Sequence, residues 1–471
     1  MFDDFEKKFT ALRFSTKKCL SFCRDTQGAT AIQFALLLLP ILGILGGAID
    51  YANVSEVRTV LQNAADSASV GSIGLQSTAF QTALTMSTDG AVPGGAASAS
   101  AMFNTNSSAV QNASNLVVTA AVTKSGRTVT STVSFTANVN TYFLGIVGLN
   151  QWSIGSHSTA TSVLPKFLDF YLMVDVSGSM GLPSTTSEQS RLAAVNPDDK
   201  SLYPAGCTLA CHFSGSYGYI LSRNGGTYSN PQVSYCPTAG SNACIQLRTD
   251  AVAAAIQSLL QTAINTETIA NQYRIGLYPF IAYLEQYFGL TSNISASVSN
   301  PSSLAYAASQ LTTLLDTGAD PNLGSGGTHF ENALPTMNSL ITSVGDGSTQ
   351  NNTLPFVFLI TDGSQNYQYQ WGGNWSGSNS ATTLNPAYCT TLKNRGITIS
   401  VLYIPYQPIE NPTTFANSED FYANANIAYI PASLQSCASP NFFFTANSPA
   451  DITSAMNAMF NQAVSSARIT N

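Results

Sequence analysis

Fourteen residues, FLDFYLMVDVSGSM (Phe167–Met180), restrict the fold of this chain more than any other stretch. An apolar run climbs to a carboxylate and then breaks into glycine and hydroxyl residues. Apolar residues at successive positions suit a strand covered on both faces, as in a buried parallel sheet. The loop that follows would offer Asp175, Ser177 and Ser179 to one point in space. Carboxylate and hydroxyl oxygens together suit a hard divalent cation such as Mg²⁺.

Downstream, the pattern alternates between strands and helices. After the strand Phe167–Val174 come a helix over Leu247–Ile264 and a hairpin-like pair, YRIGLYPFI and LEQYFGLT. A helix over Pro301–Leu315, the loop Gly324–Thr328 and a helix through Ser343 follow. The strand Leu354–Thr361, a helix ending at Arg395-Gly396, the strand Ile397–Ile404, NFFFTA and a last helix over Pro449–Ala467 complete the series. Such alternation predicts a doubly wound α/β sheet. Two excursions interrupt it, 181–245 and Gln365–Asn385.

Strand ends of such sheets gather at one edge, where ligands bind. Three segments should meet there: Asp175-x-Ser177-x-Ser179, Gly326-Gly327-Thr328, and Ile360-Thr361-Asp362-Gly363. Two carboxylates and three hydroxyls can surround a cation, and Mg²⁺ gives up its waters reluctantly, which leaves a position exchangeable. In order and on the predicted elements, Asp175, Ser177, Ser179, Thr328 and Asp362 resemble the metal-ion-dependent adhesion site of the von Willebrand factor A domain. The resemblance implies a Rossmann-like α/β fold and a bound Mg²⁺, or another divalent cation such as Mn²⁺ or Ca²⁺. It also implies that Ser177, Ser179 and Thr328 coordinate directly or through water, with Asp175 and Asp362 acting mainly through water.

Ahead of this region, Ala29–Ile49 carries no charge, long enough to cross a bilayer as a helix. Pro40 is tolerable there as a kink. Lys7, Lys8, Arg13, Lys17, Lys18 and Arg24 precede it and only Arg58 follows closely, so the positive-inside bias puts the N-terminus in the cytoplasm and the bulk outside. A cleaved signal peptide, with Gly46-Gly47-Ala48 as its site, is the alternative, but the apolar stretch is long for one. Only 9% of residues are charged, which suits an extracytoplasmic surface. The net charge is −7; residues 1–28 hold six of the 18 Lys/Arg and four of the 25 Asp/Glu, leaving 12 against 21 elsewhere. That acidic remainder argues against nucleic acid as a partner.

Past the anchor, Val54, Val57, Leu61, Ala64, Ala65 and Ala68 keep helical spacing. Either an amphipathic stalk or a helix packed on its own domain satisfies that pattern. Residues 77–113 read as short helices and loops. Leu116–Val122 and Arg127–Val139 alternate around Ser125-Gly126 as a β-hairpin, with another strand or two before Val163. The expected organisation is a basic cytoplasmic segment (1–28), a transmembrane helix (29–49), a helix plus small antiparallel sheet (50–165) and the α/β domain (166–471) with its cysteine-containing insertion 181–245.

RDTQGATAIQFALLLLPILGILGGAIDYANVSEVRTVLQNAADSASVGS is similar to the N-terminal segment of TadG-like proteins of the Tad (Flp) pilus machinery. Those carry a Gly, an apolar helix ending in a GxxxDY-like turn, and an LQNAADAAAL-like helix. The resemblance implies a single-pass protein of the bacterial inner membrane, with a large periplasmic part acting in pilus assembly or adhesion, either retained in the membrane or built into the pilus. Its partners would be pilus or envelope proteins, or a surface ligand offering a carboxylate. Gln33 stands where pilin precursors place a Glu, five residues after Gly28, so prepilin-peptidase processing at Gly28 is not expected.

Of eight cysteines, Cys19 and Cys23 fall on the cytoplasmic side as thiols. The other six lie outside, where disulfides are the default. Cys389 is expected to pair with Cys437; the pairing among Cys207, Cys211, Cys236 and Cys244 stays open. Cys207-x-x-x-Cys211-His212 has one residue too many for haem attachment, and zinc is not expected. His329 is expected in a layer outside the metal ligands or in solvent. Tyr367, Tyr369, Trp371 and Trp375, just beyond Asp362, suit either a protein or glycan contact or a loop folded onto its own sheet. None of His157, His212 and His329 falls in a catalytic pattern, and SGSMG lacks the Lys of a phosphate loop, so an enzyme is not expected.

Overall fold

The computed structural model describes residues 27–195, 235–242, 244–316, 320–366, 369–371, 374–376, 381–406, 408 and 419–469. Cys19, Cys23, Cys207, Cys211, His212 and Tyr367 lie outside the described residues. Two compact units divide between Leu164 and Pro165.

In the first unit, α1 (Gln27–Ser72) is one continuous helix of 46 residues, with Pro40 inside it. At 1.5 Å per residue it extends roughly 69 Å, more than twice a bilayer's hydrocarbon core. Two shorter helices, α2 (Thr78–Thr85) and α3 (Gly95–Asn106), flank the two-residue β1 (Gly90–Ala91). Then β2 (Ala113–Ser125), β3 (Thr128–Asn140) and β4 (Gln151–Val163) form an antiparallel meander, with β1 added on the free edge of β2. The periodic residues of α1, from Val54 to Ala68, are all buried. Ser69 and Ser72 reach Ser158 and Ser131 of the sheet at 3.0 and 2.8 Å. So the second half of α1 packs on its own domain rather than standing as a bare stalk. Small Ala and Ser side chains let the helix approach the pleated surface closely enough for hydroxyl-to-hydroxyl bonds.

The second unit is a six-stranded sheet between two layers of helices. Its strands are β5 (Leu168–Asp175), β6 (Tyr273–Phe280), β7 (Phe288–Thr291), β8 (Leu354–Thr361), β13 (Thr398–Tyr403) and β14 (Phe443–Thr445), in the order β14-β13-β8-β5-β6-β7. All neighbours run parallel except the edge strand β7, which is antiparallel to β6. Every residue of the central β5 is buried. Phe170 packs on Phe356, Phe358 and Phe460 on one face, while Tyr171 and Met173 fill the other. The charge inside the strand, Asp169, is matched by a two-pronged bond from Arg274 (2.7 and 2.6 Å) and a third from Thr353 (2.6 Å).

Helices α5 (Arg248–Thr266) and α11 (Pro449–Ile469) cover one face. The other is covered by α7 (Phe330–Leu340), α8 (Ala387–Asn394) and α10 (Ile430–Cys437). Among the described residues, the remaining α-helices of this unit are α4 (Thr186–Val195), α6 (Leu304–Ser309) and α9 (Glu419–Asn426). Several expectations are corrected. The helix expected over Pro301–Leu315 is one short α-helix followed by a 3₁₀ turn, Leu311–Leu314. The helix through Ser343 stops at Leu340, five residues after Pro335. The excursion after Asp362 holds strands: β9 (Ser364–Asn366) pairs with β12 (Ala381–Thr383), and β10 (Tyr369–Trp371) pairs with β11 (Asn374–Ser376).

Disulfides join Cys236 to Cys244 and Cys389 to Cys437. The first sits in a short segment tied down from both sides. Glu188 accepts the N–H groups of Gly240 (3.0 Å) and Gln246 (2.7 Å), and Asp250 accepts those of Cys236 (3.1 Å) and Leu247 (2.9 Å). The Cys389–Cys437 bridge spans 48 residues and the other eight. In the chain-entropy account these separations correspond to about 4 and about 2.5 kcal/mol. Urea unfolding of the full chain, followed by circular dichroism, should therefore show a larger loss for Cys389→Ala/Cys437→Ala than for Cys236→Ala/Cys244→Ala. Equal losses or the reverse order would contradict this ranking.

Candidate metal centre

The carboxyl end of β5 carries Asp175, and the chain leaves it through a 3₁₀ turn, Gly178–Gly181. Backbone bonds stitch three neighbouring segments to this exit. Val176 N–H donates to Phe280 O (3.1 Å), Asp316 N–H to Val176 O (3.1 Å), and His329 N–H to Ile281 O (2.9 Å). A fourth, Asn366 N–H to Thr328 O (2.8 Å), fixes β9 against the Gly326-Gly327-Thr328 loop. Gly327 has φ +87°, and a Cβ there would lie 2.9 Å from Asn366 Cβ, so both conformation and space require glycine.

Into this frame the sequence delivers its side chains. Asp175 accepts the Ser177 N–H (2.9 Å) on Oδ1 and the Thr361 hydroxyl (2.6 Å) on Oδ2. Thr328 Oγ1 lies 3.4 and 3.3 Å from the two carboxylate oxygens of Asp175. The hydroxyls of Ser177 and Ser179 are 3.3 Å apart. Asp175, Ser177, Thr328 and Asp362 are all buried, and Ser179 is partly exposed. Asp175, Ser177, Ser179 and Thr328 thus share one network, and Asp362 interacts electrostatically with Asp175.

Asp362 is the anomaly. Neither of its carboxylate oxygens has a hydrogen-bond partner. Burial first and the Asp175 charge second push its pKa up to about 7, against the opposing pull of Arg248. The Ser179 hydroxyl and the Ser364 N–H also favour its charged form, though neither reaches hydrogen-bond geometry. Burial likewise raises Asp175, although the bonds from Ser177, Thr361 and Thr328 oppose it. Two buried carboxylates facing each other are costly unless a cation answers them.

Three contributors escaped the sequence reading. Arg248, also buried, sits with Nη1 3.6 Å from Asp362 Oδ2 and donates from Nη2 to Pro405 O (2.9 Å). A cation at the first position of α5 opposes the helix dipole, and that local misfit was the available signal. Thr361 orients Asp175, while accepting the Gly363 N–H (2.9 Å). Asp316 accepts the N–H groups of Gly326 (3.3 Å) and Gly327 (2.8 Å), holding the glycine loop; burial raises its pKa against those bonds. His329 is buried, not in solvent, and its Nδ1 lies 2.6 Å from Glu331 Oε1. Glu331 in turn accepts from Gln365 (2.8 Å), a brace between α7 and β9.

Among the described residues, no group of three or more His, Cys, Asp or Glu side chains is gathered as a metal cluster. The donor set here is of another kind: two carboxylates and three hydroxyls, all hard oxygens, with both Asp362 oxygens free of hydrogen bonds. That set fits a hard divalent cation.

The six-stranded order with its antiparallel edge, and the oxygen donors at the ends of β5 and β8, define an α/β unit of the von Willebrand factor A type. At the other end of the chain, residues 28–71 match the family model described as Flp pilus-assembly TadE/G-like. No curated protein sequence matches the chain. Among solved structures, the pilus adhesin SpaC from Lactobacillus rhamnosus GG is similar at 13% identity and a TM-score of 0.33, covering 75% of this chain and 34% of its own. The chain therefore spans about a third of that adhesin's length. The von Willebrand factor domain of the type V pilus tip protein Mfa5 from Porphyromonas gingivalis is similar at 12% identity and a TM-score of 0.31, over 65% of this chain and 97% of that one. Proximal thread matrix protein 1 from the mussel byssus, solved with a zinc-occupied MIDAS motif, is similar at 13% identity and a TM-score of 0.33, over 64% and 48%. The assignment of the fold rests on the topology, not on these resemblances.

A carboxyl whose pKa is raised by folding contributes stability that is full below its unfolded value, near 4, and is lost as pH rises through the folded value. In EDTA, the urea midpoint of the full chain should fall between pH 5 and pH 7.5 more steeply than that of Asp362→Asn. Parallel pH profiles would contradict the assignment of Asp362 as the strained carboxylate.

Proposed function

We propose that this protein is a single-pass, membrane-anchored component of a Tad (Flp) pilus system whose α/β unit binds a divalent cation and, through it, a partner. Ala29–Ile49 would cross the inner membrane with the basic N-terminus in the cytoplasm and the α/β unit in the periplasm or on the pilus. The observation that carries the reading is the pair of buried carboxylates, Asp175 and Asp362, the second with no hydrogen bond to either oxygen and Arg248 nearby at 3.6 Å. Ser177, Ser179, Thr328, Asp175 and Asp362 would hold Mg²⁺, Mn²⁺ or Ca²⁺. When bound, the cation supplies a Lewis-acidic position for an anionic oxygen, such as a carboxylate of a pilus protein, envelope protein or surface ligand. Arg248 tempers the charge of Asp362, and Thr361 and Asp316 keep the donors aimed. Binding, not catalysis, is the role we assign: His329 is committed to Glu331.

A second reading, that the cation only stiffens the domain of a structural minor pilin-like assembly factor, draws on the deep burial of four of the five donors. One variant, Asp175→Ala, separates the two. In calorimetry on the full chain in detergent, Mg²⁺ binding should be present in the parent protein and lost in the variant. In the producing bacterium, pili present with adhesion lost supports partner binding, whereas pili lost supports the assembly role. Normal pili together with normal adhesion would count against both.

A further inference from the structure

The apolar helix α1 carries a motif to which neither the pilus reading nor the metal centre gives a physical role. Gly46, Asp50 and Tyr51, the GxxxDY-like turn, all engage one segment, Thr141–Trp152. A Cβ on Gly46 would lie 2.5 Å from Phe143 Cβ, so only glycine admits that ring against the helix. The Asp50 carboxylate, itself buried, accepts three consecutive N–H groups, from Tyr142 (2.8 Å), Phe143 (2.9 Å) and Leu144 (2.7 Å). The Tyr51 ring centroid is 6.1 Å from that of Trp152.

The loop so held is closed on itself. Thr141 N–H donates to Asn150 O (3.1 Å), Ile146 N–H to Phe143 O (3.1 Å), Gly148 N–H to Gly145 O (3.1 Å) and Leu149 N–H to Leu144 O (3.0 Å). Yet its apolar side chains turn outward: Ile146 is 83% exposed, Val147 73% and Leu149 59%. No Asp, Glu, Lys or Arg occurs between Arg127 and Lys166. The patch continues onto the exposed Ile44, Leu45 and Ile49 of α1. Since Gly46 lies three residues inside the end of the uncharged stretch, the loop docks roughly 4.5 Å below that end along the helix axis.

Lipid-exposed irregular backbone does not occur in the hydrocarbon core, so such a loop belongs at the membrane–water interface, where internally satisfied polar groups ease its seating. The three bonds to Asp50 and the turns within the loop occupy at least six of the eight N–H groups of Tyr142–Leu149, and the same three bonds compensate the buried carboxylate. We infer that Tyr142–Leu149 is a membrane wedge, seated at the outer interface of the bilayer that α1 crosses with its exposed apolar side chains directed into the outer leaflet. Tyr51, Tyr142 and Trp152 stand in the aromatic belt at its surface, and the occupant of the apolar patch is lipid. The wedge fixes the depth and rotation of the helix as it leaves the bilayer. It rests on the reading of Ala29–Ile49 as a transmembrane anchor.

Photo-crosslinking of the full chain in vesicles of phosphatidylethanolamine and phosphatidylglycerol tests both layers. Benzoylphenylalanine replaces one exposed residue at a time: Leu39 in the anchor, Ile146 in the wedge, and Val163 at the far end of β4. The expected result is lipid adducts at Leu39 and Ile146, several-fold above those at Val163. Adducts at Leu39 with none at Ile146 would overturn the wedge and leave the anchor standing. Lipid adducts at none of the three positions would overturn both. Cross-links from Ile146 to a second copy of the chain in place of lipid, or equal labelling at Val163, would also overturn the wedge.

Discussion

Everything at the edge of the α/β unit depends on keeping two carboxylates, Asp175 and Asp362, buried beside each other. Removing like charges from water costs on the order of several kcal/mol each unless opposite charge and hydrogen bonds compensate. Asp175 receives its compensation from Ser177, Thr328 and Thr361. Asp362 receives little: an arginine 3.6 Å away and no hydrogen bond. The surrounding fold is arranged to hold this pair in place. Strands β5 and β8, adjacent and parallel, bring the two carboxylates to the same edge. Asp316 grips the glycine loop, and the His329–Glu331–Gln365 chain locks the loop to β9. Under the proposed function, a cation would answer this pair, and one held mostly by neutral hydroxyls would keep affinity for a partner's oxygen.

Much of this was legible in the sequence because the signals were strong and local. The unbroken apolar runs Phe167–Val174 and Leu354–Thr361 could belong only to strands covered on both faces. Polar residues at both of their ends fixed the register within a residue. The five proposed ligands could be chosen because each follows a strand or precedes a helix. What escaped depends on contacts distant in sequence. Arg248 reads as an ordinary helix residue until the fold sets it against Asp362, 114 positions later. Asp316 is one more polar residue after a helix until its carboxylate is seen to accept two glycine N–H groups. Pro335 and the polar run that follows shortened a helix whose apolar spacing suggested more. Strands β9 to β12 escaped because Gly, Ser and Asn mask the alternation that marks a strand.

The N-terminal unit offers a different lesson about sequence pattern. The GxxxDY-like turn is short and carries no catalytic chemistry, yet each of its three defining residues has a separate physical task. Gly46 makes room, Asp50 supplies acceptors and Tyr51 supplies an aromatic face. Residues on α1 whose spacing reads as an amphipathic stalk, and is compatible with a packed helix, are packed. Serine hydroxyls at 3.0 and 2.8 Å from the sheet decide that point, since such bonds need the backbones close together.

The central claim is that Asp175, Ser177, Ser179, Thr328 and Asp362 surround a divalent cation. Diffraction from crystals of the full chain grown with Mn²⁺, recorded at the manganese absorption edge, tests it most directly. The account predicts one strong anomalous peak among the hydroxyls of Ser177, Ser179 and Thr328, facing both carboxylates. Full Mn²⁺ occupancy elsewhere, with these five side chains left as they stand and Asp362 answered by Arg248 alone, would contradict it.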